Sequence, residues 1–159
     1  MIFVCLGSQK FQFNRLLEQL DKYKESNQLI DPIFVQKGYS DYNPKNIETV
    51  DFLNNEEFKS QIDKSDLIIT HGGTGAIITS IKKNKKVIAI PRLSKYGEHV
   101  DDHQIEIVKQ FDEMNLICPC YDVTELLNII ELAKKTTLET YQSNTVAILD
   151  DISSYINAF

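Results

Sequence analysis

Residues 69–83 read ITHGGTGAIITSIKK and hold three of the chain's six glycines. The apolar run 66–70 before them predicts a buried strand, and the pattern over 74–83 predicts a helix. A strand that passes through a glycine turn into a helix is typical of an α/β sheet, where ligands gather at the C-terminal ends of strands. The turn from His71 to Gly75 is therefore expected to face a cleft.

The chemistry of this turn favours an anion. Unpaired N–H groups and the positive dipole end of the helix would point into the cleft, which is the usual setting of a phosphate. Glycine lets oxygen atoms approach the backbone, and Thr74 is expected to cap the helix and donate its hydroxyl. The P-loop and dinucleotide fingerprints both fail here, since their further glycine, lysine or small residue is absent. A tight turn that uses glycine for geometry alone is the alternative interpretation.

The rest of the chain alternates short β-branched runs with amphipathic helical patterns. Four lysines, Lys82, Lys83, Lys85 and Lys86, are expected to be a solvated helix end favoured by the dipole. We expect one domain over residues 1–159, a Rossmann-like three-layer α/β sandwich with a parallel sheet. Further strands are predicted at 1–6, 31–36, 46–52, 87–90 and 116–118, and helices at about 12–25, 54–63, through Ile105 to Phe111, 123–135 and 138–157.

Composition narrows the classes of partner. The chain has 159 residues, 42% of them hydrophobic, a formal net charge of −6 and a pI near 5.1. That charge argues against a broad grip on nucleic acid and favours small molecules or proteins. The sequence starts with an apolar strand pattern rather than a signal peptide and lacks a membrane-length apolar run, so a cytoplasmic protein is expected. Cys5, Cys118 and Cys120 read as buried reduced thiols.

A second cluster of polar residues lies in the loop Glu98–Gln104, with the sequence EHVDDHQ. It follows the strand after the glycine-turn helix, so a right-handed crossover places it beside the turn. One interpretation is a metal site, and another is a capped surface helix with a solvated histidine. The third is a sugar site, because carboxylate, imidazole and carboxamide groups pair well with hydroxyls. The candidate metal ligands are His99, Asp101, Asp102 and His103.

Four segments together resemble a known family. They are MIFVCLGSQKFQFNRLL at 1–17, THGGTGAI at 70–77, VIAIPRLSKYGEHVDDHQ at 87–104 and YQSNT at 141–145. The chain resembles the C-terminal half of family 28 glycosyltransferases of the GT-B fold. It is most similar to stand-alone small subunits of two-component transferases, of the Alg13 type and of the bacterial PssE or EpsE exopolysaccharide galactosyltransferase type.

The resemblance implies roles for residues in both glycine turns and in the second loop. Gly7 and Ser8 would form a second glycine turn that lines the cleft, followed by Gln9 where related sequences carry a histidine, so Gln9 cannot serve as a base. The acidic residue that holds the ribose in larger relatives falls near Thr79, and Glu98 is its expected substitute. The donor diphosphate would bind at His71, Gly72, Gly73, Thr74 and Gly75, with His71 against the departing phosphate, and the donor sugar at His103 and Gln104.

The activity implied is inverting transfer of a hexose, galactose first, from a UDP-sugar to a lipid-diphosphate-linked saccharide in capsule or exopolysaccharide synthesis. No metal or other cofactor is expected. The main catalytic base is expected on a membrane-anchored Alg14- or PssD-like partner, which would hold the chain at the inner face of the membrane; His99 is the candidate base on this chain. The isolated chain is expected to be able to form a homodimer through the surface meant for its partner.

Two other functions stay open at the level of sequence. One is a nucleotide-binding regulatory or assembly protein that performs no chemistry. The other is an enzyme like the UDP-N-acetylglucosamine 2-epimerases, which have a similar fold but carry both halves in one chain.

Overall fold

The computed structural model describes residues 1–142, and they build a six-stranded parallel sheet. The strand order is β3-β2-β1-β4-β5-β6, so the chain runs outward from β1 in one direction and from β4 in the other. The strands are β1 (Ile2–Cys5), β2 (Ile33–Gln36), β3 (Glu48–Val50), β4 (Leu67–Thr70), β5 (Lys86–Ala89) and β6 (Cys118–Pro119).

Helices cover both faces of the sheet, which confirms the three-layer α/β fold. One core contains Val4 and Ile69 with leucines of the first helix and the last. The core on the opposite face contains Phe3 and Ile68 with residues of the second, third and fourth helices. Because the strands are buried on both faces, they read as continuous apolar runs. The helices are α1 (Asn14–Glu25), α2 (Asn55–Lys64), α3 (Thr74–Ile81), α4 (His103–Glu113) and α5 (Leu126–Lys135).

Local signals explain several helix ends. Asn54 and Glu57 form a reciprocal capping box at the start of α2, which satisfies two backbone donors. Asn27, Asn84 and Asn115 follow α1, α3 and α4 with φ of 56°, 54° and 54°. Asparagine tolerates this left-handed conformation better than most residues, so these positions stop the helices.

One predicted helix is shorter than its pattern indicates. The α3 helix ends at Ile81, because Asn84 turns the chain back. Lys82 is exposed as expected, whereas Lys83, Lys85 and Lys86 bind neighbouring groups. Lys85 donates to the main-chain oxygens of Asp63 and Ser65, which lie at the C-terminal end of α2. Lys83 pairs with the Asp63 carboxylate at 2.5 Å. The favourable interaction of a lysine with a helix dipole, which was expected at the end of α3, is therefore found at the C-terminal end of α2.

The predicted helix over 138–157 is not present where it can be checked. Residues 136–142 are irregular, and Leu138 packs against one core whereas Tyr141 packs against the other. This segment crosses from one face of the sheet to the other, which explains why helical periodicity does not become a helix here. The remainder of that prediction, and residues 143–145 of the YQSNT motif, lie outside the described residues. Among residues 1–142, every helix is too short or too polar to cross a membrane.

Candidate functional site

A cleft of about 520 Å³ opens at the C-terminal edge of the sheet, above β1 and β4. These two adjacent strands are the point where the strand order reverses, which is the ordinary ligand position of an open α/β sheet. The wall includes residues from the loops after β1, β4 and β5 and from the first turns of α3 and α4. Of the predicted site, Gly7, Ser8, His71, Gly73, Thr74, Gly75, His99, His103 and Gln104 line it.

The two glycine turns meet at the His71 ring. Gly7 has φ of 81°, and a Cβ placed on it would lie 2.7 Å from the imidazole carbon Cε1 of His71. A Cβ on Gly73 would also lie 2.7 Å from the same atom. Both contacts are shorter than side chains tolerate, so the absence of a Cβ at both positions lets one imidazole lie between the turns. The glycines around His71 are therefore explained by the space that its imidazole ring needs.

The helix N-terminus opens into the cleft as predicted, but its cap differs. Gly73 is the N-cap and Thr74 the first helical residue, so the Thr74 side chain does not cap the helix. Ile77 N–H donates to Gly73 C=O at 3.1 Å. The preceding N–H groups of Thr74, Gly75 and Ala76 lie in the first turn, beyond the reach of intrahelical acceptors, and all three residues line the cleft.

His71 is neutral over the ordinary pH range. Burial is the largest cause, and the nearby Arg92 charge adds to it; together they lower the pKa of His71 from 6.5 to about 4. Its Nδ1 lies 3.3 Å from the carbonyl oxygen of Cys5. A carbonyl can only accept, so this contact favours the proton on Nδ1 and leaves Nε2 with the lone pair.

Gly72 takes a different position from the one expected. It is buried with φ of 84°, and a Cβ there would lie 2.9 Å from a methyl carbon of Val108 in α4. Gly72 therefore allows α4 to pack against the turn and does not line the cleft. Gln104, on the same helix, accepts from the Arg92 backbone N–H at 3.0 Å through its side-chain oxygen. Its amide nitrogen is the end left for a ligand.

Glu98 does not line the cleft either. Its side chain is 1% exposed and pairs with Arg15 of α1, at 2.7 Å from Nε and 3.1 Å from Nη2. It also accepts the Leu93 backbone N–H at 2.9 Å. The carboxylate is thus fully occupied in a separate pocket beside α1, and it does not take the place of a ribose-binding acid. Thr79, the aligned position, donates its hydroxyl to Gly75 C=O in its own helix.

The loop after β5 is less solvated than its composition indicates. Arg92 is completely buried and donates through Nη2 to the carbonyl oxygens of Leu6 and Phe11. Its Nε and Nη1 atoms lack a hydrogen-bond partner among residues 1–142. Burial lowers the pKa of Arg92 to about 10, so its charge persists beneath the turn at Gly7.

His99 is held by groups from two loops. Its Nδ1 lies 3.0 Å from a carboxylate oxygen of Asp101, and its Nε2 lies 3.0 Å from the side-chain oxygen of Gln9. The Phe11 ring packs against the imidazole with centroids 5.3 Å apart. His103 instead begins α4 with an exposed side chain, and its N–H donates to Asp101 at 3.1 Å.

Sequence reasoning did not find several wall residues. Cys5, Gln36, Phe58, Ala76 and Ile107 complete the cleft. They belong to elements whose apolar pattern indicates only a core, so their sequence carries no signal of a site. Within residues 1–142, the histidine, cysteine and acidic side chains do not assemble into a group of three or more able to hold a metal ion.

Comparison with known proteins gives consistent matches. The family described as glycosyltransferase family 28 C-terminal domain matches residues 1–155. The UDP-N-acetylglucosamine transferase subunit ALG13 of Candida albicans is 34% identical over 90 residues, which are 57% of this chain and 29% of that relative. The chain therefore spans less than a third of this curated relative.

Two solved structures share the fold. The NMR solution structure of ALG13 matches with a TM-score of 0.61 at 18% identity, over 95% of this chain and 93% of that one. The glycosyltransferase of kitacinnamycin matches with a TM-score of 0.60 at 15% identity, over 85% of this chain and 35% of the other. At these identities the likeness shows the fold, that of the C-terminal half of a GT-B glycosyltransferase.

Proposed function

Because this chain belongs to the glycosyltransferase family 28 C-terminal domain family, we propose that its cleft binds the diphosphate of a UDP-sugar. The chain would be the donor-binding subunit of an inverting glycosyltransferase. The observation that carries this proposal is the meeting of two glycine turns and a helix N-terminus at one cleft, at the reversal point of the sheet.

The arrangement suits the departure of a nucleotide. In the transfer, the acceptor oxygen attacks the anomeric carbon as the bond to the β-phosphate breaks, and the phosphate oxygens gain negative charge. Fixed N–H groups of Thr74, Gly75 and Ala76, with the Thr74 hydroxyl, would stabilise that charge without reorganisation. The buried Arg92 charge adds a favourable potential. Phosphate binding by these groups requires no metal ion or other cofactor.

His71 has a more specific position in this proposal. With its proton on Nδ1, the Nε2 atom of His71 accepts a hydrogen bond and does not donate one. The role proposed for the ring is therefore to separate the two glycine turns and shape the phosphate site. A direct contact with the departing phosphate, which the resemblance implies, requires the proton on Nε2 and stays a prediction.

Two donor sugars are in competition. The name of the Candida albicans relative favours UDP-N-acetylglucosamine, and the resemblance to exopolysaccharide subunits favours UDP-galactose. His103 and the amide nitrogen of Gln104 are the polar groups proposed to contact the sugar. The proposed acceptor is a lipid-diphosphate-linked saccharide, for capsule or exopolysaccharide synthesis if galactose is moved.

We propose that a membrane-anchored Alg14- or PssD-like partner completes the enzyme and holds the chain at the inner face of the membrane. The relative's name describes a subunit, which supports an assembly of this kind. In such an assembly the partner would cover the acceptor beside the cleft of this chain. Self-association of the isolated chain remains a secondary expectation.

Calorimetry with Gly75→Asp tests the donor site. A Cβ at Gly75 meets nothing within 4 Å among residues 1–142, and an acidic residue in the first turn favours the helix. The variant should fold as the wild type does, yet lose at least about tenfold in affinity for UDP, since a carboxylate would face the diphosphate.

Asn84→Asp is the matched control, because it adds the same charge beyond the far end of α3, at a position where aspartate also tolerates positive φ. Its UDP affinity should equal that of the wild type. Absence of UDP binding by the wild type, or equal affinity in Gly75→Asp, would overturn the donor site. Parallel titrations with UDP-galactose and UDP-N-acetylglucosamine decide between the sugars.

A further inference from the structure

The loops after β1 and β5 meet in a three-residue contact on the rim of the cleft, formed by Gln9, His99 and Asp101. Gln9 and His99 line the cleft, whereas Asp101 holds the ring from outside. Such a carboxylate–imidazole pair can orient a base, and none of the comparisons assigns a role to it.

Asp101 is fixed independently of the histidine. Its carboxylate oxygen Oδ1 accepts the backbone N–H of His103 at 3.1 Å as well as facing Nδ1 of His99 at 3.0 Å. The acid is therefore anchored to the start of α4. The adjacent Asp102 instead accepts the Ser94 backbone N–H at 2.7 Å, so the two neighbouring acids have separate partners.

This geometry decides which nitrogen of a neutral His99 carries the proton. The Asp101 carboxylate accepts at 3.0 Å and lies closer to Nδ1 than the Asp101 backbone N–H, which is 3.4 Å away, so the geometry favours the proton on Nδ1 and the basic lone pair on Nε2. The Nε2 atom faces Gln9, whose amide can present oxygen to a protonated ring or, after a half-turn, nitrogen to a neutral one. Packing of the Phe11 ring restricts the imidazole further.

We propose that Asp101 is the positioning residue of His99, and that this pair supplies the chain's own basic nitrogen beside the donor cleft. The inference rests on the proposed function. In the transfer, the acceptor hydroxyl gives its proton to Nε2 of His99, its oxygen forms the new bond to the anomeric carbon, and UDP leaves with the electron pair of the broken bond. Gln9 holds Nε2 when the acceptor is absent.

Nitrogen-15 NMR of the full chain at a pH where the ring is neutral tests the positioning step. Wild-type His99 should carry its proton on Nδ1, and Asp101→Ala should move it toward Nε2. Asp101→Asn should largely restore the Nδ1 form, because its side-chain oxygen still accepts, and Asp102→Ala should leave it unchanged. A wild-type ring protonated on Nε2, or one insensitive to Asp101→Ala, would overturn the inference.

UDP titrations separate this inference from the donor site. Asp101→Ala and His99→Gln should bind UDP within about threefold of the wild type, since the base acts on the acceptor and not on the phosphate. Gly75→Asp should lose that binding. If the wild type binds no UDP, the proposed function fails; if only Asp101→Ala and His99→Gln lose it, the pair belongs to donor binding and the present inference fails.

Turnover completes the test, with the complex in native membranes, its endogenous acceptor and radiolabelled UDP-galactose or UDP-N-acetylglucosamine. Asp101→Ala should lower kcat about tenfold or more with little change in KM for the donor, as expected when only a transition-state interaction is lost. Combining it with His99→Gln should add little to the loss caused by His99→Gln alone. Unchanged kcat in His99→Gln would place the base elsewhere.

Discussion

At the scale of single residues, burial sets the chemistry of the cleft floor. His71 lies between two glycines and remains neutral, while Arg92 keeps its charge with only part of its hydrogen-bonding capacity used. The sequence indicates neither property, since both depend on contacts between segments far apart in the chain. They place a neutral imidazole in the cleft wall and one buried positive charge beneath it.

The first prediction concerns stability and pH. The pKa of His71 is about 4 in the folded chain against 6.5 ordinarily, so between these values the unfolded chain binds more protons. The free energy of unfolding should therefore fall as the pH drops from 6.5 toward 4, by at most about 1.4 kcal/mol per pH unit from this group. Urea denaturation at several pH values measures the slope.

His71→Asn is the comparison for that experiment, and its slope over the same interval should be smaller. Aspartates such as Asp21 and Asp66, whose pKa values lie below 3.8, lose their stabilising contacts only under more acidic conditions. Equal slopes in the two proteins between pH 4 and 6.5 would contradict a neutral, buried His71.

The second prediction concerns the thiols. Burial raises the pKa of Cys5 and of Cys120 to about 12 and also raises the pKa of Cys118. A thiolate is the reactive form, so the native chain should react very slowly with Ellman's reagent at pH 8. In denaturant all three cysteines should react at once. Rapid modification of Cys5 in the native protein would show that the floor of the cleft opens.

At the scale of elements, the loop after β5 is attached to α1 by a buried ion pair. Arg15 donates to Glu98 and to the carbonyl oxygen of Pro91, and its guanidinium packs near the rings of Phe13 and Tyr96 at about 5 Å. The loop is thus attached to α1 at Glu98, the residue immediately before His99 of the cleft wall. The ion pair joins this loop to α1, which packs on the face of the sheet opposite to α4.

Glu98→Gln tests this attachment. The variant should lose about 3 kcal/mol in free energy of unfolding, at the low end for a buried pair, because the Arg15 side chain is 18% exposed and still donates to Pro91 C=O. Asp63→Asn removes one partner of the Lys83 pair, whose side chains are 29% and 59% exposed, and should cost about 1 kcal/mol or less. Denaturant midpoints of the two variants give the comparison, and similar losses would refute a structural role for Glu98.

The elements also show how far sequence reasoning reaches. The apolar pattern of the sequence locates the strands and most helices. Phe3, Ile68 and Val87 belong to continuous apolar runs, which are typical of strands buried on both faces of a sheet. The rule that ligands gather at the C-terminal ends of parallel strands correctly places the turn from His71 to Gly75 beside the cleft. The burial of Glu98 and Arg92 could not be predicted, since the sequence of a polar loop does not indicate that Glu98 pairs with Arg15 of α1 or that Arg92 binds Leu6 C=O before the turn at Gly7.

At the scale of the whole molecule, the net charge of −6 opposes an anionic ligand at long range, whereas the proposed phosphate site would attract it locally. Salt screens exposed charges more than buried ones, so it should mainly weaken the repulsion. The association rate for UDP should therefore rise about twofold between roughly 20 and 150 mM sodium chloride. Stopped-flow measurements test this, with uncharged uridine as the control. A falling rate would mean that local attraction dominates the encounter.

The concealment of all three thiols leaves the chain ready for spectroscopy. Gly75 has open space around its α-carbon among residues 1–142, so Gly75→Cys would introduce one accessible sulfur at the mouth of the cleft while the native cysteines stay protected. A fluorophore attached there would compete with nucleotide at the proposed phosphate site, so its displacement could be followed in real time, on a protein that otherwise keeps its natural cysteines.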